Sequence, residues 1–237
     1  MPLFDMIAFD ADDTLWHNER LYLKSQAGLV DLLAPYGIDK LTIEERLYQT
    51  ENNNIRVFGY GIKSFTLSMI ETAVSLTGGN FSGTDVLSII NLGKTQLNAP
   101  VKLLEHVLEA VSHLAAHHPL MLITKGDLLD QETKLARSGL AEYFHDIEVV
   151  SDKTPQSYAA LFRNHALDPV HVLMVGDSLR SDILPVLELG ACAVYIPYPG
   201  TWLHEAAAAP SPGTPGFYQL EQLNQLPDLL DQLASQG

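Results

Sequence analysis

Four aspartates are the residues of this sequence best placed to do chemistry. Asp10 and Asp12 stand two apart in Phe9-Asp10-Ala11-Asp12-Asp13-Thr14-Leu15, and Asp177 and Asp182 bracket Asp177-Ser178-Leu179-Arg180-Ser181-Asp182. Brought to one point and left bare, such carboxylates repel each other, and a hard divalent cation relieves that repulsion. Oxygen ligands with room for water and a phosphate suit Mg²⁺, so Asp10, Asp12, Asp177 and Asp182 predict a magnesium site. Any one of these aspartates alone could be an ordinary helix cap, and only joint placement makes a site. Weaker candidates stand elsewhere. His113 and His117 have a possible zinc spacing on a helical pattern but no cysteine or acidic helper nearby. The single cysteine, Cys192, lies in an apolar run and reads as packing.

The elements around these residues explain how they could meet. Leu3 to Phe9 is a short apolar run that stops at Asp10, the profile of a buried strand opening into a polar loop. Similar runs at Pro119 to Ile123, Ile147 to Val150 and Val170 to Val175 stop at Thr124-Lys125-Gly126-Asp127, Ser151-Asp152-Lys153 and Gly176-Asp177-Ser178. Helical periodicity at Leu103 to His117, Leu128 to Ser138, Gln156 to His165 and Ser181 to Leu189 separates them, and a fifth strand is expected at Cys192 to Ile196. A Pro/Gly-rich loop and a closing amphipathic helix, Leu220 to Leu233, follow. Alternating strands and helices predict an α/β fold, a Rossmann-like doubly wound parallel sheet whose carboxyl ends border the ligand crevice. The polar clusters would converge there.

The stretch between the first strand and Leu103 is too long for a loop inside a compact domain. Apolar residues recur at helical spacing in Leu21 to Tyr36, Ile43 to Tyr48, Phe65 to Leu76 and Val86 to Leu97, with Gly78-Gly79 as a break. Asn52-Asn53-Asn54 and the glycines around Tyr60 are expected to interrupt the pattern between the second and third helices. The division predicted is a core of residues 1–15 and 100–237 and an inserted all-helical cap domain of 16–99.

Composition narrows the partners. Of 237 residues, 46% are hydrophobic and 18% charged, enough for a substantial core and against wholesale disorder. Fourteen basic against twenty-nine acidic residues leave a net charge of -15, which disfavours nucleic acid and anionic membrane surfaces. The amino terminus lacks a basic segment followed by a long apolar stretch, and no apolar run approaches the ~20 residues of a membrane span, so a cytoplasmic protein is expected.

Phe9-Asp10-Ala11-Asp12-Asp13-Thr14-Leu15, then Thr124, then Lys153, then Gly176 to Asp182 resemble the four ordered motifs of the haloacid dehalogenase superfamily. The insertion between the first two is similar to the helical cap of its phosphoglycolate phosphatase-like members. One Asp-x-Asp-x-Thr is weak evidence, whereas four motifs in order at expected strand ends are specific. The resemblance implies a Mg²⁺-dependent phosphatase of a small phosphorylated metabolite, working through an aspartyl phosphate. Asp10 matches the nucleophile and Asp12 the general acid and base; Thr124 matches the residue that holds phosphoryl oxygens and Lys153 the charge-balancing cation. Asp177 and Asp182 match the metal-binding acids, joined by Asp10 and by Asp12 through its backbone carbonyl. Family members that displace halide from carbon do not carry an acid at the position of Asp12, so phosphate chemistry is favoured over dehalogenation. Asp13 is expected to cap backbone N–H groups, and Thr14 to serve the loop. Lys125, beside Thr124, joins the expected phosphate contacts, and Arg56 and Lys63, flanking Gly59-Tyr60-Gly61, are the cap cations that could meet a second anionic group. A sugar-phosphate mutase, a non-catalytic binding protein and a dehalogenase are the alternatives; a monomer or homodimer is expected.

Overall fold

The computed structural model of the chain describes residues 3–200, 205, 207–211 and 213–235. Met6–Phe9 forms strand β1, buried along its whole length, as a continuous apolar run between two layers of helices should be. Around it lie β2 (Leu120–Lys125), β3 (Asp146–Val150), β4 (Val172–Gly176), β5 (Cys192–Tyr195) and β6 (Phe217–Gln219). All pair in parallel, in the order β3-β2-β1-β4-β5-β6. The sheet is a six-stranded Rossmann-like one with a switch in direction between β1 and β4. The short β6 was not expected from the sequence; its three residues carry too little pattern to separate from the surrounding Pro/Gly-rich loop.

Side chains of β1 alternate between two cores. Ile7 and Phe9 pack with Leu120, Leu122, Leu173 and Val175 on one face, beneath α5 (Val107–Ala115) and α9 (Leu226–Ala234). Met6 and Ala8 pack with Met121, Ile123 and Met174 on the other, against α7 (Pro155–Asn164) and α8 (Leu184–Glu188). Register fixes the heights of the strand ends: Phe9 lies beside Leu122 and Val175, so Asp10, Thr124 and Asp177 emerge at one edge. Helix α6 (Leu128–Ser138) follows β2, and the turn Leu179–Ile183, wound with π-type bonds, follows β4.

Two compact units are present: residues 1–19, 101–125 and 131–237, and residues 20–100 with 126–130. The second is helical, with α1 (Glu19–Leu33), α2 (Lys40–Phe58), α3 (Ile62–Leu76) and α4 (Gly83–Leu97) around its own core of Leu29, Leu33, Ile43, Leu47, Ile62, Phe65, Met69 and Ile89. The expected break at Asn52-Asn53-Asn54 does not occur, for α2 runs through all three. Asn54 is buried, and its amide donates to Ser68 Oγ (3.1 Å) and Glu71 Oε2 (2.9 Å) of α3. Packing against α3 offsets the weak local helix preference of asparagine.

Candidate active site

The backbone N–H of Asp10 donates to Val175 O (2.9 Å), continuing the β1–β4 pairing one residue beyond the strand. Asp10 is thereby held at the carboxyl edge of the sheet, beside the switch point. Thr14 locks the loop that follows: its hydroxyl lies 3.0 Å from Asp10 Oδ2 and 3.3 Å from Asp177 Oδ1, and it accepts the backbone N–H of Asp177 (3.1 Å). Asp13 takes a left-handed backbone (φ 64°) and accepts from Asn18 N (2.8 Å) and Glu19 N (2.9 Å), capping the entry to α1. Burial pushes its carboxyl up to about 6.

Asp182 arrives from the turn after β4. Its Oδ2 accepts the backbone N–H of Ser178 (3.0 Å), and a Cβ on Gly176 would run into its carboxylate, so glycine at 176 is needed for this approach. Lys153 precedes α7, whose start is fixed by Pro155 and by a reciprocal capping box of Thr154 and Ser157. Its Nζ donates to Asp10 Oδ1 and to Asp182 Oδ1, the latter at 2.7 Å, with 1% of the side chain exposed.

Ligand atoms of Asp10, Asp177 and Asp182 all lie within 4.8 Å of one another, and all three residues are buried. Among the described residues Lys153 is the cation bonded to this trio, and one lysine does not balance three buried carboxylates. Burial, offset in part by Lys153 and reinforced by Asp182, pushes Asp10 up to about 7; burial and then Asp10 and Asp182 hold Asp177 well above its ordinary value. Burial alone would lower Lys153, but Asp10 and Asp182 more than reverse this, so the ammonium stays charged. The donor set, oxygen only and short of positive charge, fits Mg²⁺.

The other candidate residues are not among the three whose ligand atoms converge. Thr124 is buried at the end of β2. Asp12 points both oxygens at other donors: Trp16 Nε1 (2.7 Å), Lys134 Nζ (2.8 Å to each oxygen) and Gln131 Nε2 (2.9 Å). Lys125 donates to Ser181 Oγ (2.8 Å) and pairs with Glu205, whose carboxylate also accepts from the hydroxyls of Ser178 and Ser181. Burial would raise Glu205, but Lys125 and these bonds outweigh it and bring the carboxyl down to about 2. Arg56, in the last turn of α2, and Lys63 belong to the helical unit, where Lys63 Nζ lies 3.2 Å from Asp127 Oδ1. In the loop between β1 and α1, His17 Nδ1 shares a hydrogen bond with the Tyr198 hydroxyl (2.9 Å).

Lys134, Gln131, Trp16 and Glu205 escaped the sequence reading. A signal existed for two of them: Gln131 and Lys134 are three apart on a helix that begins at a strand's carboxyl end, so one face of its first turns looks toward the site. Glu205 stands in a stretch without periodicity, and nothing local marks it.

The family model of the haloacid dehalogenase-like hydrolases matches residues 4–190. The chain belongs to the haloacid dehalogenase-like hydrolases. A hydrolase of this family from Xanthomonas campestris is 37% identical, with a TM-score of 0.88 over 99% of this chain and 93% of that one. The pyrimidine 5'-nucleotidase YjjG of Escherichia coli (strain K12) is 27% identical over 96% of this chain and 98% of its own length. The 2-haloacid dehalogenase of Pseudomonas syringae pv. Tomato DC3000 is 20% identical with a TM-score of 0.64, covering 97% of this chain and 99% of that one, which speaks to the fold alone. Within the haloacid dehalogenase-like hydrolases one fold therefore carries more than one chemistry, and side chains decide between them. Among the described residues no helix is long and apolar enough to cross a membrane.

Proposed function

We propose that this hydrolase is a Mg²⁺-dependent phosphomonoesterase acting on a small phosphorylated metabolite through an aspartyl phosphate on Asp10. The observation that carries the reading is the buried trio Asp10, Asp177 and Asp182 joined to Lys153, with Asp12 two residues beyond the nucleophile. Asp10, Asp177 and Asp182 would hold Mg²⁺, with the backbone carbonyl of Asp12. When bound, the ion supplies positive charge against the spread negative charge of a transferring phosphoryl group. Asp10 attacks phosphorus in line, and Thr14 and Lys153 orient its carboxylate. Lys153 keeps its charge beside the transferring oxygens, and Thr124 holds them from the end of β2. Asp12 gives a proton to the departing alkoxide and then takes one from the water that hydrolyses the aspartyl phosphate.

Likeness to YjjG makes pyrimidine 5'-nucleotides the first substrates to try. The helical unit is assigned the role of a cap that chooses among substrates, with Arg56 and Lys63 as its cations for a second anionic group. The core of residues 1–15 and 100–237 would then supply chemistry common to all. The test is phosphate release from p-nitrophenyl phosphate, pyrimidine nucleoside monophosphates and other phosphorylated metabolites, with Mg²⁺ or EDTA, for wild type and Asp10→Asn. Release should need both the ion and Asp10. Metal-independent halide release would point instead to a dehalogenase, and isomerisation primed by a bisphosphorylated sugar, with no net phosphate release, to a mutase.

A further inference from the structure

Asp12 is the most heavily tied carboxylate among the described residues of the site, and its partners are not those of the metal trio. Trp16 Nε1 and Lys134 Nζ reach Oδ1 at 2.7 and 2.8 Å, while Lys134 Nζ and Gln131 Nε2 reach Oδ2 at 2.8 and 2.9 Å. Lys134 thus bridges the two oxygens of one carboxylate, with 13% of its side chain exposed against 21% for Asp12. A lysine paired in this way differs from an exposed surface pair, whose partners are free to wander. Gln131 is buried, and its amide nitrogen also donates to the backbone carbonyl of Lys125 (3.1 Å). Turning that amide over would set its oxygen against two acceptors, so the donor assignment follows from the partners. The two side chains come from one face of α6, and that helix leaves the same strand end that presents Thr124.

From this geometry we infer that Lys134 is the positioning residue of Asp12: with Gln131 and Trp16 it holds the general acid and base in one rotamer. The inference rests on the phosphatase reading and deepens it. Without Lys134, Asp12 keeps two neutral donors but loses its only cation among the contacts described, and repulsion from Asp10 acts on a side chain free to turn. Lys134 transfers no proton and forms no bond to phosphorus.

The distinction is measurable, because p-nitrophenolate leaves without needing a proton whereas an alkyl alkoxide needs one. Lys134→Met should lower kcat on an alkyl phosphate by about 10-fold to 100-fold, within the range general acid and base catalysis supplies, and leave KM nearly unchanged. On p-nitrophenyl phosphate it should keep a rapid burst of nitrophenolate and slow only the steady state, since attack by Asp10 needs no acid while hydrolysis of the aspartyl phosphate needs Asp12 as base. In an Asp12→Asn background the same substitution should lower turnover no further. A variant with unchanged kcat, one with raised KM and unchanged kcat, one that loses the burst along with turnover, or an additive effect in the Asp12→Asn background overturns the inference. If Lys134→Met does not fold, Gln131→Leu carries the same three readings with a smaller loss. A wild type that releases phosphate from no ester overturns the phosphatase reading and this inference with it, whereas wild-type release with an unaffected Lys134→Met overturns this inference alone.

Discussion

Replacing Lys153 with methionine removes the cation that, among the described residues, touches both Asp10 and Asp182, and the consequence for folding can be worked out from burial. Its side chain is 1% exposed, as is that of Asp182. Removing one partner of a buried ion pair costs about 3–5 kcal/mol, because the remaining charge is left in a medium that solvates it poorly. For a chain of this size about 1 kcal/mol moves Tm by roughly 2–4 °C, so Lys153→Met should melt roughly 6–20 °C below wild type in EDTA. Protonation limits the loss. Asp10 already stands at about 7 with Lys153 present, and a carboxyl raised on folding favours the folded state at low pH and loses that contribution as pH rises through its folded value. The melting gap between variant and wild type should therefore be small near pH 5.5 and widest near pH 8. Mg²⁺ bound as proposed would restore positive charge to the same carboxylates, so the rise in Tm on adding it should be larger in Lys153→Met than in wild type. Differential scanning calorimetry at both pH values, with EDTA or with excess Mg²⁺, reads all three effects. A variant melting within about 2 °C of wild type in EDTA at pH 8 would refute the argument that Lys153 balances uncompensated buried charge.

Glu205 gives the opposite pH dependence. Its folded value of about 2 lies below its ordinary 4.5, so its stabilising contribution, about 3 kcal/mol from the shift, is present above pH 4.5 and is lost as pH falls toward 2. Urea denaturation of wild type should steepen its loss of stability across that window, and Glu205→Gln should flatten it; equal slopes would show that the Lys125 pair is not worth its apparent strength. Asp13→Ala removes the cap on Asn18 and Glu19 and places alanine at φ 64°, for an expected loss of about 2 kcal/mol, while Asp13→Asn, which tolerates that backbone and keeps one acceptor, should lose about half as much. Chemical denaturation of both variants ranks them, and equal losses would remove the cap from the account.

Much of the core was legible because a buried parallel strand has a simple signature. Ile7, Ala8 and Phe9 face helices on both sides, so the run is apolar without alternation and its end at Asp10 is abrupt. The same holds for Met121 to Ile123 before Thr124 and for Leu173 to Val175 before Asp177. Strand β6 and the continuous course of α2 were not legible. Three residues of β6 are too few to carry a period, and α2 survives its asparagines through bonds from Asn54 to Ser68 and Glu71, partners that only the folded helical unit supplies.

For the site the division falls between residue type and pairing. Residue types and spacing along the chain determined that Asp10, Asp12, Thr124, Lys153, Asp177 and Asp182 stand at or near the carboxyl ends of strands, since each follows a local apolar run or opens a helix. Which charge answers which was decided by tertiary structure. Lys153 spans 143 residues to reach Asp10, Lys134 spans 122 to reach Asp12, and Lys125 spans 80 to reach Glu205. Pairings of that reach depend on strand order, register and the direction a helix leaves a sheet. Those are set by packing of the whole core, and no local pattern encodes them.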